Sequence, residues 1–376
     1  MKKVLLPVTA VFFIFCGMIQ AQDISGVLDS TINYTTGAGS AQTHSFGLEQ
    51  FANLRLRINT GENAVFVSAF NLAVVTGNFF NQSVQNTIIS GQNYAAGIEL
   101  ERLYFRINGS SFDTEAGLLR IPFGYSQIWG PVDFLNPRSP LSYNARPRGV
   151  LGTTFLFYPS YSTELMVFAA APLDPFISDG GGFNPGITME QHWNKASMQA
   201  LYAYETFLPG SRLGKHRFGL SLKADLELSF TADLLYTLNP ASFKGIDGLS
   251  ASFGFDYSFL KGDLITIWEY LYNGKTSVTA MGYGGGFSNN HYLYGSFLYQ
   301  INDYARTGVS VIYCFDDPSF SGSFFADYEV FQGFSLSLNA ALPLNGFSKG
   351  SINKGELGPD SRGSRFSINL GAKLRF

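Results

Sequence analysis

Cysteine is nearly absent from these 376 residues: Cys16 and Cys314 are the only two. If Cys16 leaves with a leader, no intrachain disulfide can form, and no CxxC pair is present to hold a metal or run redox chemistry. Charge is scarce too. Lys, Arg, Asp and Glu make up 14% of the chain, with a formal net charge of −3, and the basic stripe that a nucleic-acid surface needs is missing. The four histidines, His44, His192, His216 and His291, have no partner at zinc-ligand spacing. No GxSxG elbow occurs, and His44 beside Ser45 is an adjacency that chance readily supplies. The run Gly282 to Phe287 lacks a strand–helix setting and reads as flexible loop, not as a phosphate loop. No catalytic residue, metal or cofactor is expected, and the chain is not read as an enzyme. After the first twenty or so residues there is no apolar run of about 18, hence no spanning helix, and no capped helical period.

What the chain does have is glycine, phenylalanine and tyrosine, 41, 36 and 20 of them, arranged with period two. Phe366, Ile368, Leu370, Ala372, Leu374 and Phe376 alternate with Arg365, Ser367, Asn369, Gly371, Lys373 and Arg375. The same alternation runs through Leu54–Ile58, Leu228–Leu234, Phe253–Phe259 and Phe334–Ala340. Such segments are strands with one apolar and one wet face. A β-sandwich alternates as well, but many strands of about ten residues with an aromatic-rich apolar face fit the lipid band of a transmembrane barrel better. In lipid every backbone group must be paired, so the sheet must close.

The N-terminus adds a location. Lys2 and Lys3 precede an apolar run from Val4 to Phe15, and Ala21 offers a small residue for cleavage. This reads as a secretory signal peptide over 1–21, leaving 22–376 as the barrel; Pro7 and Gly17 argue against a membrane anchor.

Connections alternate in length. Short turns are expected near 60–63, 108–111, 159–162, 193–196, 224–226, 260–262, 302–304 and 331–333. Longer loops are expected near 36–44, 77–96, 121–151, 171–184, 207–215, 238–248, 273–290, 315–318 and 343–364. This predicts an all-β, single antiparallel transmembrane barrel of about 18 strands (16 if the poorly patterned 183–192 is not one), with short periplasmic turns and long external loops. The last strand should pair with the first, near Ile24 to Tyr34.

Two segments carry a resemblance. Asn369-x-Gly371-x-x-Leu374-x-Phe376 resembles the C-terminal signal of outer-membrane β-barrels, which implies recognition by the barrel-assembly machinery. "RIPFGYSQIWGPVDFLNPRSPL", Arg120 to Leu141, is similar to a segment of porin-like outer-membrane proteins through its Arg-x-Pro-Phe-Gly start and through Trp129, Gly130, Pro131, Asp133, Asn136 and Pro137. The resemblance implies a third external loop, 121–151, that folds into the barrel and narrows it. An ordinary proline-rich surface loop is the alternative, but Phe123, Trp129, Phe134 and Leu135 are apolar enough to require burial.

If apolar faces point to lipid, Arg55, Arg57, Arg102, Arg106 and Arg120 point inward with Lys373 and Arg375, while Glu227, Asp233, Asp256 and Asp327 point inward from later strands. A basic wall opposite an acidic one would set a transverse field; charges paired within each wall would not. With Asp133 and Arg138 from the loop, these residues are the expected pore lining. The function expected is an outer-membrane porin for passive diffusion of small hydrophilic solutes, anion preference being the option the basic wall opens. The alternatives are a closed surface barrel serving as adhesin or scaffold, and a transporter of hydrophobic compounds, which would want an N-terminal hatch. Expected partners are outer-membrane lipid, the assembly machinery and small hydrophilic solutes, with no nucleic acid; monomer and trimer both stay open.

Overall fold

The computed structural model describes residues 23–37, 44–77, 87–136, 149–171, 183–206, 214–238, 245–274, 287–344, 355–362 and 364–376. The leader 1–21, Pro137, Arg138 and Gly282 to Gly286 lie outside the described residues. The strands are β1 (Asp23–Gly37), β2 (His44–Asn59), β3 (Ala64–Gly77), β4 (Thr87–Gly91), β5 (Tyr94–Asn108), β6 (Phe112–Leu119) and β7 (Val150–Ser160). Then follow β8 (Thr163–Ala171), β9 (Asn184–Trp193), β10 (Ala196–Glu205), β11 (Lys215–Asp225), β12 (Ser229–Leu238) and β13 (Leu249–Phe259). The last six are β14 (Leu264–Asn273), β15 (His291–Asn302), β16 (Ala305–Cys314), β17 (Ser319–Phe331), β18 (Phe334–Leu344) and β19 (Ser364–Arg375). One helical turn, α1 (Pro359–Arg362), precedes β19.

Each wall strand pairs antiparallel with its sequence neighbours, and β19 returns to β1, so the sheet is closed. Ile32 faces Leu370 and Leu28 faces Leu374 across that seam. The ladder extends to the final residue, because Gly26 N donates to the Phe376 carbonyl at 2.8 Å and Phe376 N to the Gly26 carbonyl at 3.1 Å. Strand β4 is not part of the wall. It pairs only with β5, as one arm of a hairpin inside the second long connection, while β3 pairs directly with β5. The wall therefore has 18 strands, and Asn184–Trp193 is one of them despite its weak pattern. Eight turns of two to four residues gather at one rim, and nine connections, most of them longer, gather at the other.

Alternation sorts the side chains as the period-two pattern requires. Leu28, Ile32, Leu103, Phe155, Phe218, Leu234, Val309 and Leu370 point outward and are exposed; Leu151 and Phe253 keep 56% and 52% of their surface. In water each such side chain would forgo about 1.5–3 kcal/mol of burial, and the belt runs around the whole barrel, which is the surface a hydrocarbon layer covers. The inward face is less uniform than the sequence suggests. On β6 to β16 it is partly apolar, with Leu119, Val150, Met166, Phe168, Ala170, Leu201, Ala203, Leu235, Leu271, Tyr292 and Ile312 all buried. Burial inside a barrel needs something in the lumen to press against these groups, and that something is a loop.

Candidate functional site: a loop docked inside the barrel

Residues 120–136 leave β6 and lie against the inner wall. Ile121, Phe123, Val132 and Phe134 join Leu119, Val150, Met166, Phe168, Ala170, Leu201, Ala203 and Leu235 in one buried cluster. The Phe123 ring sits 5.0 Å from Phe168 and 5.6 Å from Phe134, and the Arg217 guanidinium lies 4.5 Å above Phe134. Arg217 is itself paired with Glu205 and donates to Asn184 Oδ1 at 3.0 Å. Gly219 makes the approach possible, because a Cβ there would lie 3.0 Å from Val132 Cγ1 and from Leu201 Cβ.

The loop tip is held by polar contacts. Six successive backbone N–H groups point at three wall strands. Gly124 N donates to Gln199 Oε1 at 3.0 Å; Tyr125 N and Ser126 N donate to the two Asp233 oxygens at 3.1 and 3.0 Å. Gln127 N and Ile128 N donate to Glu269 Oε2 at 3.0 and 3.1 Å, and Trp129 N donates to Glu269 Oε1 at 2.8 Å. Successive N–H groups converging on a carboxylate form an anion nest, and here the anions belong to the wall. Gln199, Asp233 and Glu269 stand on β10, β12 and β14, so the tip runs around the circumference as it passes from one to the next. Gly124 is required twice over: its φ is +81°, and a Cβ would meet Asp233 Oδ2 at 2.5 Å. Side chains add to the anchorage: the Tyr125 hydroxyl donates to Glu190 Oε1 at 2.6 Å and Gln127 Nε2 to Asp256 Oδ2 at 2.8 Å. Burial, followed by the contact with Glu190, pushes the Tyr125 phenol above its ordinary range.

At its far end the tip inserts Trp129 into a second cluster, with Leu271, Tyr292, Ile312 and Cys314 from the wall, Phe287 from the 274–290 connection and Leu357 from the 345–363 connection. Trp129 meets the Phe287 ring edge-on at 5.1 Å and donates from Nε1 to the Glu269 carbonyl at 3.2 Å. The rim loops are tied to one another as well. Glu356 accepts from Ser288 N, the Tyr292 hydroxyl and Asn289 Nδ2. Asp317 accepts from Asn289 Nδ2 at 2.9 Å and from Glu356 N at 2.5 Å. Cys314, Asp317 and Glu356 lie close enough to resemble a metal site, but these N–H and O–H donors already occupy the carboxylates.

The expected lining residues fall into distinct settings. Asp233 is 1% exposed and Asp256 takes the Gln127 amide, so both acids hold the loop. Asp327 pairs with Arg306 at 2.8 Å, and Glu227 lies exposed in the 226–228 turn, not at an inward strand position. Asp133 stands 3.5 Å from Arg120. Arg106 is paired with Glu115, and Arg102 donates to the Glu101 carbonyl at 2.7 Å while lying within the field of Arg55 and Arg120. Arg55 and Arg57 are inward and exposed. Among the described residues, opposed walls of single sign are not found: Asp29, Glu99, Glu101 and Glu115 share the arginine-bearing side, and Lys373 is 3.3 Å from Asp29.

Sequence reasoning missed Glu269, Gln199 and Glu356. The available signal for Glu269 was a single acid in the otherwise apolar "LITIWEYLYN", since a lone buried carboxylate must find donors. Its donors are backbone N–H groups, which no residue type announces.

No protein-family model and no curated protein matches the sequence. Solved structures with the same fold do. OccK5 (OpdH) of Pseudomonas aeruginosa is 11% identical with a TM-score of 0.58, over 94% of this chain and 98% of that one. OccAB4 of Acinetobacter baumannii is 9% identical with a TM-score of 0.59, over 95% and 99%. OpdK, an outer membrane protein of Pseudomonas aeruginosa solved with vanillate, is 10% identical with a TM-score of 0.56, over 94% and 99%. At such identities the likeness is one of fold.

Proposed function

We propose that this chain is an outer-membrane porin through which small hydrophilic solutes diffuse passively, with the docked loop as its constriction. The observation that carries this reading is the loop itself. Its apolar residues are buried on one side of the lumen, and its backbone is fixed by wall carboxylates, so it takes up cross-section without closing the barrel wall. An 18-strand barrel encloses a lumen wide enough for water unless loops fill it, and the likeness to outer-membrane proteins of the Occ and Opd group supports the same setting. On this reading the turn rim faces the periplasm and the loop rim faces outside. The segment 1–21 is removed near Ala21, and Asn369, Gly371, Leu374 and Phe376 present the last strand to the assembly machinery. Arg55, Arg57 and Arg102, with Arg120 at the loop base, favour anions; no catalytic role is proposed.

The joining of three loops around Trp129 favours a second reading, a barrel closed at its outer rim and used as a surface scaffold. Single-channel recording in planar bilayers separates the two. Purified protein should conduct, and removal of residues 125–145 should raise conductance while the barrel still assembles. Silence before and after the deletion overturns the porin reading in favour of the closed barrel.

A further inference from the structure

Three of the four histidines occur in one repeated arrangement that the porin reading does not use. His44, His216 and His291 each stand at the first or second position of a strand that follows a long connection, on the outward face. Each meets a tyrosine hydroxyl of the preceding wall strand through Nδ1: Tyr34 at 2.8 Å, Tyr202 at 3.0 Å and Tyr270 at 2.6 Å. The ring geometry repeats, with centroids 6.0, 6.1 and 6.1 Å apart and planes tilted by 14°, 28° and 29°. In each case the tyrosine lies diagonally across the ladder from the histidine. The residue directly opposite is Thr36, Tyr204 or Tyr272, and the two tyrosines there add a second ring contact at 4.9 and 5.3 Å. The fourth histidine, His192, is different: it faces the lumen near the turn rim and bonds Ser197 at 2.9 Å.

We infer that these three His–Tyr pairs are docking stations for the phosphate-bearing headgroups of the outer lipid leaflet. With the tyrosine hydroxyl donating to Nδ1, the imidazole carries its hydrogen on Nε2, and the bond to tyrosine fixes the ring plane. Each station thus holds a directed N–H donor at the level where the apolar belt ends and headgroups begin, while the tyrosine ring stays in the apolar layer. The stations lie between β1 and β2, β10 and β11, and β14 and β15, and so are spread around the barrel. Groups that diverge around a perimeter cannot converge on one solute, and they form no contiguous patch for a protein partner. An annulus of lipid is the occupant that meets all three at once.

This inference rests on the membrane reading of the outward belt, and the test separates the two. Protein labelled with 15N-histidine is placed in nanodiscs of dioleoylphosphatidylglycerol and, separately, in dodecyl maltoside micelles, which lack phosphate, at the same pH. The Nε2 signals of His44, His216 and His291, assigned through single His→Gln variants, should shift between the two media, while His192 stays put. The triple variant H44L/H216L/H291L should retain several-fold fewer phosphatidylglycerol molecules in native mass spectra, with unchanged barrel circular dichroism. Unmoved signals at the three stations, or an equal shift at His192, overturn the inference while leaving the membrane reading intact. Inorganic phosphate added to micelles should not reproduce the shift; if it does, the ligand is the free ion and the lipid assignment falls. Failure of the folded barrel to enter nanodiscs overturns the membrane reading and the inference with it.

Discussion

Replacing Glu269 with alanine should release the loop tip and leave the loop base docked. Glu269 is 1% exposed and accepts three backbone N–H groups, from Gln127, Ile128 and Trp129. Only the Trp129 donor is buried, Gln127 being exposed and Ile128 half-buried. A buried donor left without a partner costs about 1–3 kcal/mol, so truncation puts about that much against the docked tip, while the other two N–H groups can turn to water. The base is held differently. Ile121, Phe123, Val132 and Phe134 are buried, at about 1.5–3 kcal/mol each, and none of them touches the Glu269 carboxylate. The wall should survive, since the β14 ladder uses backbone groups only. E269Q should fall between, keeping one carbonyl oxygen but losing charge assistance and turning an amide N–H toward other donors. Two measurements check this. In a W193F/W268F background the single remaining tryptophan, Trp129, should change from shielded to quenchable by iodide in E269A, and single-channel conductance should rise. A Trp129 that stays shielded, with unchanged conductance in a normally assembled E269A barrel, would refute the assignment of the carboxylate as the tip's anchor.

Other expectations can be checked as directly. R55Q/R57Q should lower the anion-to-cation permeability ratio measured as a reversal potential at low salt, and the difference should shrink as ionic strength rises; an unchanged ratio means that neighbouring acids already cancel these arginines. Asp317, in the 315–318 connection, is pushed up by burial but pulled further down by the Glu356 N–H and by Ser319, Cys314 and Asn289, and ends below the usual aspartate range. A depressed carboxyl contributes stability above its unfolded pKa and loses it as pH falls through the folded one. The hydrogen bond from the Glu356 N–H to Asp317 should therefore hold from neutral pH to below the ordinary aspartate range before failing, as read by hydrogen exchange of the Glu356 amide; release already at mildly acid pH contradicts it. Removing Phe376 deletes two ladder hydrogen bonds to Gly26 and should lower the heat-modifiable barrel fraction in membranes, while normal levels would argue against the terminal signal. In the 260–263 turn Lys261 has φ of +59°, so K261G should stabilise the barrel by about 1 kcal/mol in urea unfolding; a loss of stability would show that the side chain contributes more than the strain.

The sequence alone determined the wall. Segments such as Phe366 to Phe376 and Leu228 to Leu234 alternate because lipid lies on one side and lumen on the other, and a period of two writes that difference into every strand. Turn and loop lengths followed from it, and so did the strand count and the pairing of the last strand with the first near Ile24 to Tyr34; the register that sets Ile32 opposite Leu370 came from the structure. The short β4 hairpin was not legible, since five residues inside a long loop carry no two-sided constraint. Nor could alternation show that inward Met166, Phe168 and Leu201 face a loop and not water, because parity names the side of the wall and not what stands there. Only the tertiary structure decided which carboxylates are pore lining and which are anchors. Asp233 and Glu269 lie more than a hundred residues from the loop they hold, and their partners are backbone N–H groups common to every residue but proline; closure of the sheet is what brings donor and acceptor together.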